Sequence, residues 1–426
     1  MMRPLRETVL VLFALTASAQ SQDPAFATIP FDHWLTEHDQ AHFQWTAKVS
    51  GGHLTNLQRL GAAVDIEIDG NELAKRRGRG QLAVFVQFSD TDHRVFQSHG
   101  AIELKDATED AAKSNIIYTQ TAVVVPGDYR VDIAMLDTHT GEHATLTRTL
   151  HILPLKNDPL PDSLHGLPPV EFTPSGDPPD IWFQPELTGV LHLPVEMRRP
   201  LRVEVLANAS PSSIGPRFRT GQLNSRILAD LLPGLKVISQ IELSQGDMNV
   251  SLLDLTRRQI LFTEPQVNPK THALEWPKLR PALLEADPNK IDVRELSDSQ
   301  RNPQFFVQEV RRRIKTEAAL IVLSGPIAFA GSDDRRPLEL EDKPLGKVFY
   351  LRYHPTPARR YVEETRGNIR RRGGNLSAPP AALLAQEPPD SLAALLKALQ
   401  PRIYDIYSPE QFRRALAEVM KEISRM

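Results

Sequence analysis

Between Pro154 and Pro179 eight prolines fall in a stretch with few apolar residues, and the hydrophobic period differs on its two sides. Before it, short apolar runs alternate with polar residues. Beyond it, continuous apolar runs take turns with apolar residues at four-residue steps. Proline fixes φ and lacks an N–H, so a segment this rich in it favours extended, semi-rigid spacer structure. The expected organisation is a lead-in over 20–42, a β-domain over 43–153, a proline-rich linker over 154–180 and an α/β domain over 181–426. A chain of 426 residues is long enough for two such domains, each with its own core.

The sequence contains no cysteine, which removes disulfides, thiolate metal sites and thiol nucleophiles. The net charge of −3 argues against nucleic acid as a partner. At the N-terminus, Arg3 and Arg6 precede an apolar run from Val9 to Leu15, and Ala17-Ser18-Ala19 follows it. That order predicts a signal peptide over 1–19 with cleavage after Ala19. An uncleaved anchor is the alternative, but the run is shorter than the ~20 apolar residues that span a bilayer. No other stretch is long or apolar enough to be transmembrane. The expected location is therefore secreted or periplasmic.

Over 43–153, the segments 43–49, 63–68, 82–88, 116–118, 129–136 and 144–152 read as strands. Asp69-Gly70, Pro126-Gly127 and Thr140-Gly141 punctuate them as turns. Short strands at this spacing predict an antiparallel β-sandwich. Tyr129 follows the Pro126-Gly127 turn and resembles the tyrosine corner of immunoglobulin-like folds, although a core-edge tyrosine would look the same. The basic run Lys75-Arg76-Arg77-Gly78-Arg79 reads as a solvated loop, or else as a patch that docks an anionic surface. Asp32, His33, Glu37, His38, Asp39 and His42 crowd possible metal ligands together, but their spacing matches no zincin pattern. They read better as a polar lead-in.

The second domain begins with a strand over 201–207. A helix over 223–232 follows, ended by Pro233-Gly234, and then a hairpin of 249–255 and 259–262 around Thr256-Arg257-Arg258. A helix over 305–314 and a fully apolar strand over 318–323 come next, then strands over 347–351 and 402–407. Ser408-Pro409-Glu410-Gln411 opens a last helix striped by Phe412, Leu416, Val419 and Ile423. Alternating strands and helices predict a doubly wound, mostly parallel sheet, with ligands at the carboxyl ends of its strands.

This order, with the loop Asn208-Ala209-Ser210-Pro211-Ser212 and the pair Ser324-Gly325, resembles a von Willebrand A domain. The likeness is to the "VWFA-related" domains of exported bacterial proteins and covers roughly 198–426. The family's metal-ion-dependent adhesion site reads Asp-x-Ser-x-Ser in its first loop and carries a second aspartate in a Ser-Asp-Gly loop. In this chain Ser210 and Ser212 are kept, but Asn208 and Gly325 stand where the two aspartates would be. Ser297 and Ser299 are weak candidates for the threonine ligand, and Asp333 and Asp334 lie out of register. Mg²⁺ holds octahedral oxygen geometry and gives up water reluctantly, so two missing carboxylates imply that no metal is held and no cofactor is needed. Asn208, Ser210 and Ser212 would then simply cap the loop.

An insertion over 354–390 carries Arg359, Arg360, Arg366, Arg370, Arg371 and Arg372 and follows a predicted parallel strand. It is a solvated loop, or it clamps an anionic partner: a polysaccharide, a lipid head group or an acidic protein. The chain has no Gly-x-Ser-x-Gly elbow, His-Glu-x-x-His motif or phosphate-binding glycine loop. The expected function is a protein-binding or adhesion role in the cell envelope, with no catalytic residue. An architectural envelope subunit is the alternative, and a hydrolase built on carboxylates is a more remote one.

Overall fold

The alternation in Leu82, Val84, Val86 and Phe88 puts four apolar side chains on one face of an extended segment, and all four are buried. The computed structural model describes residues 23–37, 43–78, 80–104, 115–173, 187–210, 220–285, 301–314, 318–327, 329, 346–354 and 390–426. The chain divides into two compact units. One comprises Met1–Val49, Val64–Gln120 and Gly127–His151; the other comprises Ser50–Ala63, Thr121–Pro126 and Ile152–Met426.

The strands of the N-terminal half are β1 (Trp45–Leu54), β2 (Leu60–Ile68), β3 (Gln81–Asp90), β4 (Val95–Glu103), β5 (Ile116–Val124), β6 (Gly127–Asp137) and β7 (His143–Ile152). They enter two four-stranded sheets, ordered β1-β2-β5-β8 and β4-β3-β6-β7, where β8 is Val170–Phe172. β3 pairs antiparallel with β4 and β6, and β5 pairs antiparallel with β8. Tyr129 opens β6 as a buried residue, its ring against Phe88 at 6.1 Å. Part of the expected lead-in is structural. Phe26, Phe31 and Trp34, the last two in the short helix α1 (Phe31–Trp34), pack on Phe85 and Ala134. Asp69 does more than turn the chain: its side chain accepts from Asn71 N and caps α2 (Gly70–Lys75).

The basic run at the end of α2 is tied down. Lys75 pairs with Glu72, and Arg76 pairs with Asp137 and Glu142 while its guanidinium lies 4.4 Å from the Phe43 ring centroid. Arg79 lies outside the described residues. In the lead-in, Glu37 is held by His33 at 3.2 Å and His143 at 2.7 Å. His38, Asp39 and His42 lie outside the described residues.

Residues 154–173 of the proline-rich stretch are built into the second unit. Leu167 and Val170 are buried, β8 adds to a sheet, and Asp158 binds a side chain from the last helix of the chain.

The centre of the second unit is a six-stranded sheet. Its strands are β10 (Leu201–Asn208), β12 (Gly246–Asp254), β13 (Gln259–Val267), β14 (Ala318–Ser324), β15 (Lys347–Tyr353) and β16 (Arg402–Ile406), ordered β13-β12-β10-β14-β15-β16. β13 runs antiparallel to β12; the other pairings are parallel. A small parallel pair, β9 (Leu193–Val195) and β11 (Ile241–Leu243), lies outside it. Period 2 sorts the side chains. Val203, Val205, Ile321, Leu323, Phe349 and Leu351 join one core with helices α3 (Thr220–Ile238), α4 (Trp276–Glu285) and α7 (Pro409–Ile423). Leu206, Leu320, Val322, Val348 and Tyr350 join another with α5 (Arg301–Ile314) and α6 (Ser391–Leu396). β14 is buried along its whole length, as a strand covered on both faces must be.

One helix end differs from expectation. α3 does not stop at Pro233-Gly234 but continues to Ile238. Leu235, Val237 and Ile238 are fully buried, and their packing outweighs the hydrogen bond that proline cannot make. α7 begins as its sequence suggests. The Ser408 side chain accepts from Gln411 N, and Gln411 Oε1 accepts from Tyr407 N at 2.6 Å.

Candidate functional site at the carboxyl edge of the six-stranded sheet

Counting β10 as first and leaving out β11, the strand order is 3-2-1-4-5-6, so the direction of winding reverses between β10 and β14. Crevices in such sheets open outside the carboxyl ends at that reversal. β10 ends there at Asn208 and β14 at Ser324, brought side by side by the parallel register Ala207↔Leu323.

These side chains bond to one another. Asn208 Nδ2 donates to Ser324 Oγ at 2.8 Å, and Ser324 Oγ donates to the Gly325 carbonyl at 2.7 Å. Asn208 Oδ1 accepts from Ser210 N at 3.0 Å, closing a turn. Ser210 Oγ accepts from Leu255 N at 2.5 Å and lies 3.4 Å from Asp254 Oδ1. All of these residues are buried. The cluster staples the loop after β10 to the turns after β12 and β14. Ser212, Ser297, Ser299, Asp333 and Asp334 lie outside the described residues.

Asp254 is the carboxylate that sequence reasoning missed. It is fully buried at the end of β12, and its Oδ1 accepts from Thr256 N and Thr256 Oγ1 at 2.8 and 2.6 Å. Oδ2 faces Arg257 Nη1 at 3.5 Å. Its signal was an aspartate two residues before a threonine at a hairpin turn. Among the described residues, no three His, Asp or Glu side chains gather as metal ligands. The oxygens of Asn208 and Ser210 are engaged with backbone N–H groups.

Further along the same edge, β15 and β16 carry an ionic network. Arg352 Nε and His354 Nε2 both lie 2.6 Å from Asp405 Oδ1. Arg352 Nη1 also reaches Asp390 Oδ2 at 3.4 Å, and Asp390 Oδ1 accepts from Leu392 N to cap α6. The His354 ring stacks on Tyr407 at 4.4 Å. Burial pushes the Asp405 carboxyl up, but hydrogen bonds from Arg352 and His354 outweigh it and hold its pKa below the usual value. For Asp390 burial wins over Arg352 and Tyr350, and the pKa is raised. Burial likewise lifts the Tyr350 phenol well above 10, so it remains neutral.

Residues 354 and 390, which bound the arginine-rich insertion, thus sit within this network. Arg359, Arg360, Arg366, Arg370, Arg371 and Arg372 themselves lie outside the described residues. The edge as described offers buried polar groups bonded to one another, with Asp254 Oδ2 left without a hydrogen-bond partner among the described residues, and a charged rim. It does not assemble a nucleophile with a base and an oxyanion donor.

No protein-family model matches the chain, and no curated protein does. Among solved structures, one structural-genomics target is 14% identical and covers 27% of this chain and 88% of its own, with a TM-score of 0.17. A Bordetella pertussis structure named ApaA is 13% identical and covers 28% of this chain and 100% of its own, with a TM-score of 0.18. Likeness at that level assigns neither fold nor function.

Proposed function

We propose that the chain is an exported, non-enzymatic binding protein in which an immunoglobulin-like sandwich accompanies a von Willebrand A-like domain that engages its partner without a metal ion. The strand order with one antiparallel edge supports the second assignment. The antiparallel pairing of β3 with β4 and β6, with Tyr129 buried at the start of β6, supports the first.

The observation that carries the metal-free reading is the Asn208–Ser324 hydrogen bond at the winding reversal. A neutral amide joined to a serine there makes a closed seam, and the carboxylate of the cluster, Asp254, is engaged with Thr256 N and Oγ1. A hard divalent ion is held by carboxylates that offset its lost water. Partner contact then falls to the outer part of the carboxyl edge. The roots of the insertion lie there, and Arg359, Arg360, Arg366, Arg370, Arg371 and Arg372 supply positive charge for a protein or an anionic envelope component.

A pull-down of the full chain from envelope extract, with and without EDTA and over a salt series, tests this. Capture that survives EDTA and weakens with salt supports it, since exposed charges are screened over about 8–10 Å near physiological ionic strength. Capture that requires Mg²⁺ refutes it. Export is tested by mass spectrometry of the secreted or periplasmic form: a mature N-terminus at Gln20 is expected, and an intact Met1 excludes cleavage.

A further inference from the structure

On the face of the sheet covered by α3 and α7, a cavity of about 350 Å³ is lined by His53, Asn56, Asp230, Tyr353, Tyr407 and Ser408. All six belong to the second unit. Its size falls in the range of small-ligand sites, roughly 300–1,000 Å³.

Tyr353 is the last residue of β15. Its side chain points to the same face as Phe349 and Leu351 and is 3% exposed. The hydroxyl reaches that depth because α3 has glycine at 234: a Cβ there would lie 2.0 Å from Tyr353 Oη. Yet among the described residues Tyr353 Oη has no hydrogen-bond partner. Buried polar atoms are nearly always paired, so a lone hydroxyl in the wall of a cavity marks a place where something else bonds.

The described lining of the cavity also holds a carboxylate. Asp230, on α3, accepts from Asn56 Nδ2 at 2.5 Å. Burial, reinforced by the Asp230 charge, raises the Tyr353 phenol well above 10, so it stays a neutral hydroxyl beside an anion. Tyr407 adds an aromatic wall, fixed by stacking on His354. The cavity thus combines a carboxylate, a phenol oxygen wanting a donor and an aromatic surface. A small cation rich in N–H groups matches all three.

We propose that this cavity binds a primary alkylammonium group, its N–H bonds donated to the Asp230 carboxylate and Tyr353 Oη and its methylenes lying against Tyr407. The group belongs either to a free diamine or to a lysine side chain of a partner protein. The site is independent of the metal-free reading above and stands if that reading fails.

Isothermal titration of the full chain tests it with three probes: cadaverine, acetyl-Gly-Lys-Gly-amide and the norleucine counterpart of that peptide. Saturable one-to-one binding of at least one ammonium probe is expected, with none for the norleucine peptide. Cadaverine alone binding identifies a free amine as the source; the lysyl peptide alone binding identifies a partner's lysine; both binding supports the ammonium site itself. Tyr353→Phe is expected to weaken binding by roughly fivefold to tenfold, the effect of one hydrogen bond, with the thermal midpoint unchanged or raised. Asp230→Asn is expected to weaken it at least about tenfold, as loss of a charge-assisted bond does. Should Asp230→Asn fail to fold, the Tyr353→Phe variant and the norleucine peptide decide the matter. No saturation with either ammonium probe, equal binding of the norleucine peptide, or unchanged affinity in Tyr353→Phe would overturn the proposal.

Discussion

Arg413 of α7 meets Asp158 of the proline-rich stretch side on, Nε to Oδ1 at 2.6 Å and Nη2 to Oδ2 at 2.7 Å. The same Nη2 also reaches the Leu160 carbonyl at 2.9 Å and Ser163 Oγ at 2.5 Å. Arg413 is 3% exposed. A two-pronged ion pair whose Nη2 also finds a backbone carbonyl and a serine hydroxyl offsets much of the desolvation, and Nη1 is the one guanidinium nitrogen left without a partner among the described residues.

Breaking this pair from one side should therefore be severe. Arg413→Ala is expected to lower stability by about 3–5 kcal/mol, because Asp158 is left charged without its partner. Burial pushes the Asp158 carboxyl up, but the Arg413 and Leu160 hydrogen bonds prevail and its pKa in the folded protein is lowered. A depressed carboxyl contributes stability above its unfolded value, near ~3.9, and loses that contribution as pH falls through the folded value. The gap between wild type and Asp158→Asn in urea unfolding should be widest at neutral pH and close below about pH 4. A gap that persists unchanged into acid would contradict the assignment.

A second ion pair explains a glycine. Arg59 Nη2 lies 2.8 Å from Glu171 Oε2, and Glu171 Oε1 accepts from Thr188 N and Gly189 N at 2.6 and 3.0 Å. A Cβ at 189 would stand 2.7 Å from Glu171 Oε2 and 2.8 Å from Arg59 Nη1. Gly189→Ala should cost about 1–3 kcal/mol by overpacking, read as a lowered urea midpoint with an unchanged slope.

Gly234 and Tyr353 should be energetically coupled. Gly234→Ala alone should destabilise by about 1–3 kcal/mol, since the new methyl meets Tyr353 Oη. Adding Tyr353→Phe removes that oxygen and should recover part of the loss. A double-mutant cycle with a coupling near zero would show that the helix simply shifts to accommodate the methyl.

Asn208→Asp converts the staple into the residue that a metal-bound adhesion site would have. The Nδ2 donor to Ser324 is lost and a buried charge appears, so a loss of about 1–3 kcal/mol is expected. Thermal unfolding of this variant with and without millimolar Mg²⁺ reads the outcome. Full recovery on adding the ion would mean that the seam is one carboxylate short of a metal site.

The parts legible in the sequence are those whose signal is local. β14 is an unbroken apolar run, and α7 combines a serine cap, a first-turn proline and a four-residue stripe. β4 went unread because its apolar residues Val95, Phe96, Ala101 and Ile102 do not alternate with polar ones, and only Phe96 among residues 95–103 is buried. Pro233-Gly234 has the composition of a helix stop, and only contacts with Leu235, Val237 and Ile238 carry α3 beyond it. The prolines of 154–173 read as spacer because nothing nearby announces that Asp158 has a partner 255 residues away. At the carboxyl edge, Asn208, Ser210 and Ser324 could be named from their loops. Asp254 had a local signal, its place two residues before Thr256, whereas the Arg352–Asp405 pair and the Asp230–Tyr353 cavity are products of tertiary folding that no spacing within the sequence encodes.

Arg352 lends the carboxyl edge a kind of interchangeability. By holding Asp405 and Asp390 together, it closes the base of the segment between 354 and 390 independently of what that segment contains. Lengthening a chain whose ends are already joined adds little closure entropy, about 0.6 kcal/mol for each doubling. The sheet can therefore accept a different segment on this socket, longer or shorter and with other charges, while β15, β16 and α6 keep their places. The sequence between 354 and 390 is free to diverge faster than the scaffold beneath it.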